Sequence, residues 1–178
     1  MADILDEDIQ ALAEQIRLGQ DDIALPDDLL RELGLDSAQA RNLYNLVQQM
    51  TIGERLKLAL KGGRDARAIL IRDANKLVQR FVLQNPRLTE DEVLAMSRNR
   101  NTDSDVLRLV GENREWTRNY QVRLALSTNA KTPISIALSF VNGLVERDLR
   151  NLSKSRNVSS AIAGKARRIL MEREKKGR

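Results

Sequence analysis

Helix-ending residues recur at two fixed intervals through most of this chain. Successive markers are separated by 12, 16, 12, 16 and 28 residues, the last interval equalling the other two combined. The markers are Asp73, Asn85, Asn101, Asn113, Asn129 and Asn157. Asn suits a helix end because it tolerates the left-handed conformation and its side chain bonds nearby backbone. Stops this frequent limit each helix to roughly 8 to 11 residues, which is too short to be stable alone in water. The chain must therefore stack short helices on one another.

The apolar residues before each marker repeat as well. Four markers are preceded by apolar residues at seven, four and three positions, which places them on one side of a helix. These residues are Ala66, Ile69 and Leu70; Val78, Phe81 and Val82; Val106, Leu109 and Val110; and Val122, Ala125 and Leu126. Two markers follow a second pattern, with Val93, Met96, Leu149 and Leu152. We expect all of these side chains to be buried, and Asn85, Asn113 and Asn129 to lie at or just past a helix end.

New helix starts are expected after these stops. A Ser, Thr, Asp or Asn before a helix accepts a hydrogen bond from a backbone N–H that has no partner within the helix. The expected caps are Asp36 with Gln39, Thr51 with Glu54, Thr89 with Glu92, Asp103, Thr117, Thr132 before Pro133, and Ser159. Upstream, the pattern predicts an amphipathic helix over residues 3–18. It also predicts a short helix from Pro26 with an apolar face of Leu29, Leu30 and Leu33.

The charge distribution divides the chain near Met50. Residues 1–50 contain 11 Asp and Glu but only three Arg, a net charge of −8, whereas the remainder carries +13. We therefore expect an acidic N-terminal helical segment (1–50), a helical repeat domain (51–173) and a basic tail (174–178). Such opposite charges favour docking of the acidic segment on part of the basic body.

One stretch of the chain resembles a known repeat. The run VRLALSTNAKTPISIAL (122–138) is similar to the leucine-rich-repeat-variant unit, which strings Val-Arg, an apolar pair, Asn, Thr-Pro and a later Leu. More broadly, residues 51–173 resemble HEAT-type α-solenoids and small uncharacterised bacterial helical-repeat proteins. The resemblance implies an all-α, right-handed α-solenoid of short stacked helices. The iron–sulfur cluster of the variant family does not carry over, because this chain has no Cys.

Several chemistries are excluded by missing residue types. Without Cys and His, the chain has no thiolate or imidazole metal ligands, no His-dependent catalytic triad and no disulfide. Two acidic groups, Asp27–Asp28 and Glu90–Asp91–Glu92, could suggest paired carboxylates for acid–base catalysis, but both lie at expected helix starts, where acidic residues interact favourably with the helix dipole. LKGGRDAR (60–67) lacks the Gly-Lys-Ser/Thr ending of a phosphate-binding loop. We therefore expect no enzyme activity, no cofactor, no metal and no small-molecule substrate.

The N-terminus bears on where the protein resides. The first ten residues are acidic, whereas a signal peptide begins with basic residues and continues with apolar ones. No apolar run reaches the length of a transmembrane helix. We expect a cytoplasmic protein with no membrane partner.

Trp116 is the single Trp of the chain and lies in a predicted turn between Arg114 and Arg118. In one interpretation it packs on the following helix near Tyr120 or Val122, as a hydrophobic staple. In the other it is an exposed aromatic anchor with cationic neighbours, the kind of residue that dominates interfaces. Base stacking on nucleic acid would need more aromatic residues than the 3% present.

The excess of Arg and Lys is the second functional signal. Arg100, Lys131 and Arg156 lie near expected turns, and equivalent positions of a solenoid would align Arg100 with Arg156 along one edge. Solvated helix surfaces are the alternative explanation for these cations. We interpret the chain as a non-catalytic interaction scaffold or adaptor for an acidic protein partner. Its predicted contact residues are Arg114, Trp116, Arg118, Arg100, Arg156 and Lys131. The alternative is a nucleic-acid-binding protein that grips phosphates with the same basic face.

Overall fold

The computed structural model describes residues 2–32, Gly34 and residues 36–176. Leu33 of the expected short helix, and residues 177 and 178 of the expected basic tail, lie outside this part. Within it the chain folds into twelve α-helices and one short 3₁₀ helix, with no strands, which confirms the all-α prediction. The α-helices are α1 (Ala2–Leu18), α2 (Asp27–Leu30), α3 (Ser37–Gln49), α4 (Ile52–Lys61), α5 (Arg64–Leu70), α6 (Lys76–Leu83), α7 (Glu90–Arg98), α8 (Ser104–Glu112), α9 (Tyr120–Thr128), α10 (Ile134–Val141), α11 (Glu146–Lys154) and α12 (Ser160–Lys176).

The helix ends occur where the Asn markers predict them. Helices α4 to α11 have seven to ten residues each. Asn113 and Asn129 directly follow α8 and α9, and Asn85 lies two residues past α6, which confirms the three predicted ends. Asn101 and Asn157 lie three residues beyond α7 and α11. The markers therefore locate the turns of the chain.

Of the physical role expected of these Asn residues, the left-handed conformation is wrong, whereas side-chain bonding to nearby backbone is confirmed. Gly19 is the one residue with a positive φ in the described ranges, so no Asn there adopts the left-handed conformation. Asn113 and Asn129 are extended, with φ of −79° and −80°. Their Oδ1 atoms accept hydrogen bonds from the N–H groups of Glu115 (2.9 Å) and Lys131 (3.0 Å), two residues later. Asn ends these helices through a side-chain turn rather than through an unusual backbone angle.

Most of the predicted core is buried. Every residue of both apolar patterns is buried except Ile69 and Leu109, which are half-buried. Helix α8 instead buries Val106, Leu107 and Val110, so its inner face is rotated toward Leu107.

The predicted caps are mostly confirmed. Complete capping boxes open α3, α4 and α7, Asp103 caps α8, and Ser159 accepts the N–H of Ile162 in α12. Two predicted caps are wrong. The residue before α10 is Pro133, with no side-chain cap, and Thr132 is buried beside it. The residue before α9 is Asn119, whose Oδ1 accepts the N–H of Gln121 at 2.8 Å, in place of Thr117.

The chain forms two compact units, of which unit 1 ends at Leu88 and unit 2 begins at Thr89. In unit 1, α4 is central and contacts α1, α2, α5 and α6. Gly53 permits the close approach of α1, because a Cβ there would lie 3.0 Å from Leu12 Cδ2 and 2.9 Å from Ile23 Cδ1. The expected boundary near Met50 lies inside unit 1, and the division into an acidic segment and a repeat domain stays a prediction.

Specific ion pairs join the acidic segment to α4 and α5 in unit 1. Lys57 Nζ lies 2.6 Å from Asp21 Oδ1 and also donates to the carbonyl of Ile23. Arg67, only 1% exposed, lies 2.8 Å from Glu32 Oε1. Burial raises the pKa values of Asp21 and Glu32, but the hydrogen bonds from Lys57 and Arg67 lower them. The net result is that both pKa values lie below their ordinary values. Both carboxylates are therefore stabilised in the charged form.

In unit 2, α7 and α9 run side by side in the same direction. At their starts Asn119 Nδ2 donates to Glu90 Oε2 at 3.0 Å, and at their ends Asn129 Nδ2 donates to the Ser97 carbonyl at 2.8 Å. The start of α11 lies beside the start of α9, because the Tyr120 hydroxyl donates to Asp148 and accepts from the N–H of Val145. Helix α10 packs on α8, α9 and α12, and α11 packs on α12.

Candidate partner-binding surface

The predicted contact residues all lie in unit 2, but the structure separates them into two groups. Arg114, Trp116 and Arg118 lie in the connection that leads into α9, and we call them the start group. Arg100, Lys131 and Arg156 lie in the turns that follow α7, α9 and α11, and we call them the basic edge.

Hydrogen bonds made by backbone N–H groups hold the start group in place. Asn113 Oδ1 accepts the N–H groups of Glu115 and Trp116, and residues Trp116–Arg118 form the 3₁₀ helix. Trp116 is half-buried and Arg114 is exposed. Arg118, 75% exposed, pairs with Glu115 at 2.7 Å. An ion pair this exposed contributes about 0–1 kcal/mol, so Arg118 is a weakly held side chain with an acidic neighbour. Both interpretations of Trp116 stay predictions.

The basic edge collects three exposed cations at one end of unit 2. The ends of α7 and α9 are adjacent because Asn129 Nδ2 also donates to the carbonyl of Asn99, at 3.1 Å. The end of α11 faces the end of α9 across a groove that both Thr128 and Ser155 line. In the part of the chain that the structure describes, no acidic side chain lies within ion-pair distance of the three cations. Their charges are therefore exposed to solvent and to any partner.

Other Arg residues of the basic excess have a structural role. Four of them donate to backbone carbonyls near helix ends, where cations also interact favourably with the helix dipole. They are Arg67 with Gly62, Arg87 with Leu30 and Lys61, Arg123 with Thr117 and Arg118, and Arg173 with Asn142 and Leu144. This use of Arg explains part of the positive charge without any ligand.

A groove of about 310 Å³ lies between α9 and α11, next to the basic edge. Half-buried Leu124 and buried Ala125 and Leu152 line it, and the carboxamides of Gln121 and Asn151 are exposed beside them. Arg98 reaches the groove from α7, with its guanidinium 3.2 Å from Gln121 Oε1. Sequence reasoning missed Gln121 and Asn151 because a single polar residue on the outer face of a helix carries no motif.

One hydrogen bond holds the two walls of this groove together. The Tyr120 hydroxyl, at the start of α9, donates to the Asp148 carboxylate on α11. Burial, and then this hydrogen bond, raise the pKa of Tyr120 above its ordinary value. One carboxylate oxygen of Asp148 is therefore already hydrogen-bonded, while its negative charge stays in the lining of the groove.

Comparison with protein-family models, with curated proteins and with solved structures finds no match for this chain. The resemblance to HEAT-type repeats therefore stays a prediction. Across the described ranges, no three or more Asp and Glu side chains are grouped so that they could hold a metal ion. None of the helices traced there combines the length and the apolar character that crossing a membrane requires.

Proposed function

We propose that this protein is a non-catalytic interaction scaffold that binds an acidic protein partner through Arg-rich turns, principally the basic edge. The observation that carries the proposal is the placement of three exposed cations at the ends of three neighbouring helices, with no acidic partner among the described residues. Residues 89–178 contain 18 Lys and Arg against 11 Asp and Glu, so the field around this edge is positive. Such a field accelerates association with an acidic surface and helps select it.

We also propose that the short helices follow a right-handed α-solenoid arrangement of the HEAT type. The parallel pair α7 and α9 supports this within unit 2, since α8 must return from the end of one to the start of the other. A repeat of this kind presents its turns in rows along an edge. The basic edge is one such row, and the start group would be a separate and weaker contact.

The principal test is a triple charge reversal of the basic edge, Arg100→Glu with Lys131→Glu and Arg156→Glu. A matched control reverses Arg147, Arg167 and Lys175, which are also exposed and change the net charge by the same amount. Native partners are captured from cell extract with nuclease present, and thermal unfolding is measured for each variant. We expect loss of capture for the basic-edge variant alone, with an unchanged melting temperature.

Two results contradict the proposal. Full capture by the basic-edge variant would remove this edge as the binding surface. Capture that nuclease abolishes in the wild type would favour nucleic acid, which three cations would also attract. In that case affinity should fall with salt at a logarithmic slope of roughly −3, as expected for about three phosphate contacts.

A further inference from the structure

We propose that the groove between α9 and α11 binds an extended acidic segment of the partner, and that the carboxamides of Gln121 and Asn151 bond the backbone of that segment. This inference rests on the proposed function, since it specifies which part of an acidic partner unit 2 recognises. We call the site the carboxamide groove, and its lining includes Arg98, Gln121, Leu124, Asp148, Asn151 and Ser155.

The carboxamides of this groove are available to a ligand. Elsewhere in unit 2, the side-chain oxygens of Asn99, Asn113, Asn119 and Asn129 accept backbone N–H groups of turns and helix starts. In the described part of unit 2, Asn151 is the single Asn inside an α-helix, a position where Asn is less favourable than Ala. Among the described residues its carboxamide has no hydrogen-bond partner, and neither has the Nε2 atom of Gln121.

Extended backbone matches this chemistry. Each peptide unit of an extended segment presents one N–H donor and one carbonyl acceptor that need partners. A carboxamide offers the same two functions, so one Asn or Gln side chain can pair with the N–H and the carbonyl of one residue, which point to the same side of an extended chain. Successive side chains of an extended segment point to opposite sides. One set would therefore contact half-buried Leu124, while the other set faces outward toward the cations.

The charges around the groove select an acidic segment. Arg98 lies at the groove, and the basic edge follows directly at the ends of the same helices. A guanidinium binds a carboxylate with two parallel hydrogen bonds, which gives orientation as well as attraction. The Asp148 carboxylate is the acidic group of the lining and is already hydrogen-bonded to Tyr120.

The width of the surface sets the length of the segment. A segment that crosses from α7 over α9 to α11 spans the α7–α9 distance of about 8–10 Å and an α9–α11 distance at least as large, since α9 and α11 pack less closely, or about 16–20 Å or more in all. Extended backbone advances about 3.3 Å per residue, so at least about five or six residues would contact the groove.

Fluorescence anisotropy with a defined probe tests the inference. The probe is a labelled peptide of alternating Glu and Leu, roughly eight residues long so that it exceeds the expected contact length. The second probe has the same sequence with alternate backbone amides N-methylated, which removes N–H donors without changing charge. We expect the wild-type chain to bind the unmethylated peptide roughly fivefold to tenfold more tightly, as one neutral hydrogen bond would give.

Variants connect this difference to the two side chains. Gln121→Ala with Asn151→Ala should abolish the preference for the unmethylated peptide, because the groups that recognise its backbone are gone. Asn142→Ala is the matched control, since Asn142 is exposed in the turn between α10 and α11 and should leave the preference unchanged. Both altered groove residues are exposed, so thermal unfolding should stay close to that of the wild type.

The two proposals fail separately. Equal affinity of the wild type for both peptides, no binding of either, or a preserved preference in the double variant overturns the carboxamide groove. If the basic-edge reversal still abolishes partner capture in that case, the proposed function stands without it. If the basic-edge reversal leaves capture intact, the proposed function fails, whatever the peptides do.

Discussion

The two units close a pair of short helices with the same device. In each unit a Thr–Glu capping box opens the first helix, at Thr51 in unit 1 and Thr89 in unit 2. In each unit a buried Asn after the second helix reaches back to carbonyls at the end of the first. Asn85 Nδ2 donates to Ala59 at 3.0 Å and Gly62 at 3.1 Å, and Asn129 Nδ2 donates to Ser97 at 2.8 Å and Asn99 at 3.1 Å.

Further contacts follow the same correspondence at an offset of 44 residues. Asn75 and Asn119 cap the second helix of each pair. Gln79 donates to the carbonyl of Asp73 at 2.7 Å, and Arg123 donates to that of Thr117 at 2.8 Å. A shared hydrogen-bond pattern thus relates two segments whose core residues differ, and we call the Asn85 and Asn129 contacts the Asn latches.

The difference between the units lies in what separates the paired helices. The capping boxes are offset by 38 residues and the Asn latches by 44, so the intervening segment of unit 2 is six residues longer. In unit 1 this segment contains α5 alone, whereas in unit 2 it contains α8 and the 3₁₀ helix of Trp116. Unit 1 also covers its first helix with α1, through Gly53. The Asn latch is therefore the same in both units, and the segments around it differ.

The largest expected effect is a cavity in the core beside a latch. Leu126, 0% exposed, precedes Asn129 by three residues, and Leu126→Ala should cost about 2–5 kcal/mol of unfolding free energy. Leu109→Ala should lower the unfolding free energy clearly less, because Leu109 is half-buried. Val82→Ala in unit 1 should also lower it less than Leu126→Ala, because Val is smaller than Leu. Urea unfolding of the three variants measures this order. Equal midpoints for all three and the wild type would show that the core face is misassigned.

The Asn latches provide the next largest effect. Replacing Asn85 or Asn129 by Ala removes the latch donor from one buried carbonyl, that of Ala59 or of Ser97, which should cost about 1–3 kcal/mol each. The second carbonyl of each latch keeps another donor, Arg67 at Gly62 and the N–H of Thr102 at Asn99. Asn113, which follows α8 without reaching another helix in the described hydrogen bonds, should cost about 1 kcal/mol or less on replacement. Thermal unfolding of the three single variants tests the correspondence. A larger loss for Asn113→Ala than for both latches would contradict it.

The positions of helix ends could be predicted from the sequence, but their partners could not. Capping and side-chain turns depend on residues two to four positions apart, so the pattern at Thr51, Thr89 and Asn129 is visible in the chain itself. The carbonyls that Asn85 bonds lie 26 and 23 residues earlier, and no spacing rule identifies them. The 12 and 16 residue intervals treat Asn113 as equivalent to Asn85, whereas the hydrogen bonds pair Asn85 with Asn129.

The candidate site was less predictable than the fold. The basic edge follows from turn positions, because each of its cations comes directly after a predicted helix. The carboxamide groove depends on how α9 and α11 face each other, which the helix pattern of Leu124 and Leu152 does not determine. The burial of Arg67 could not be predicted either, because charged residues are usually exposed. Its ion-pair partner Glu32 is distant in sequence, so no local pattern indicates the pair.

The pH dependence of stability should differ between the units. The pKa values of Asp21 and Glu32 in unit 1 are lowered, so their contribution is present above about pH 4 and is lost as the pH falls below it. The pKa of Tyr120 in unit 2 is raised, so its contribution is present below about pH 10 and is lost as the pH rises above it.

Melting temperatures across the pH range, measured on matched variants, test this difference. The double variant Asp21→Asn with Glu32→Gln should reduce the fall in melting temperature at low pH, which we call the acid limb. Tyr120→Phe should reduce the fall in melting temperature at high pH. Asp22→Asn serves as the control, because Asp22 is exposed. An acid limb that persists unchanged in the double variant would show that other carboxylates set it.

The smallest expected effect on stability concerns the start group. Arg114→Ala with Arg118→Ala removes one exposed ion pair, so unfolding free energy should change by about 1 kcal/mol or less. Trp116→Ala should lower the melting temperature more, because the side chain is half-buried and its turn is the additional segment of unit 2. Partner capture then ranks the two cationic groups. Since Glu115 already neutralises part of the Arg118 charge, the double variant should lose less capture than the basic-edge reversal. A loss equal to that of the basic edge, with an unchanged melting temperature, would make the start group the principal contact and reverse the proposed ranking.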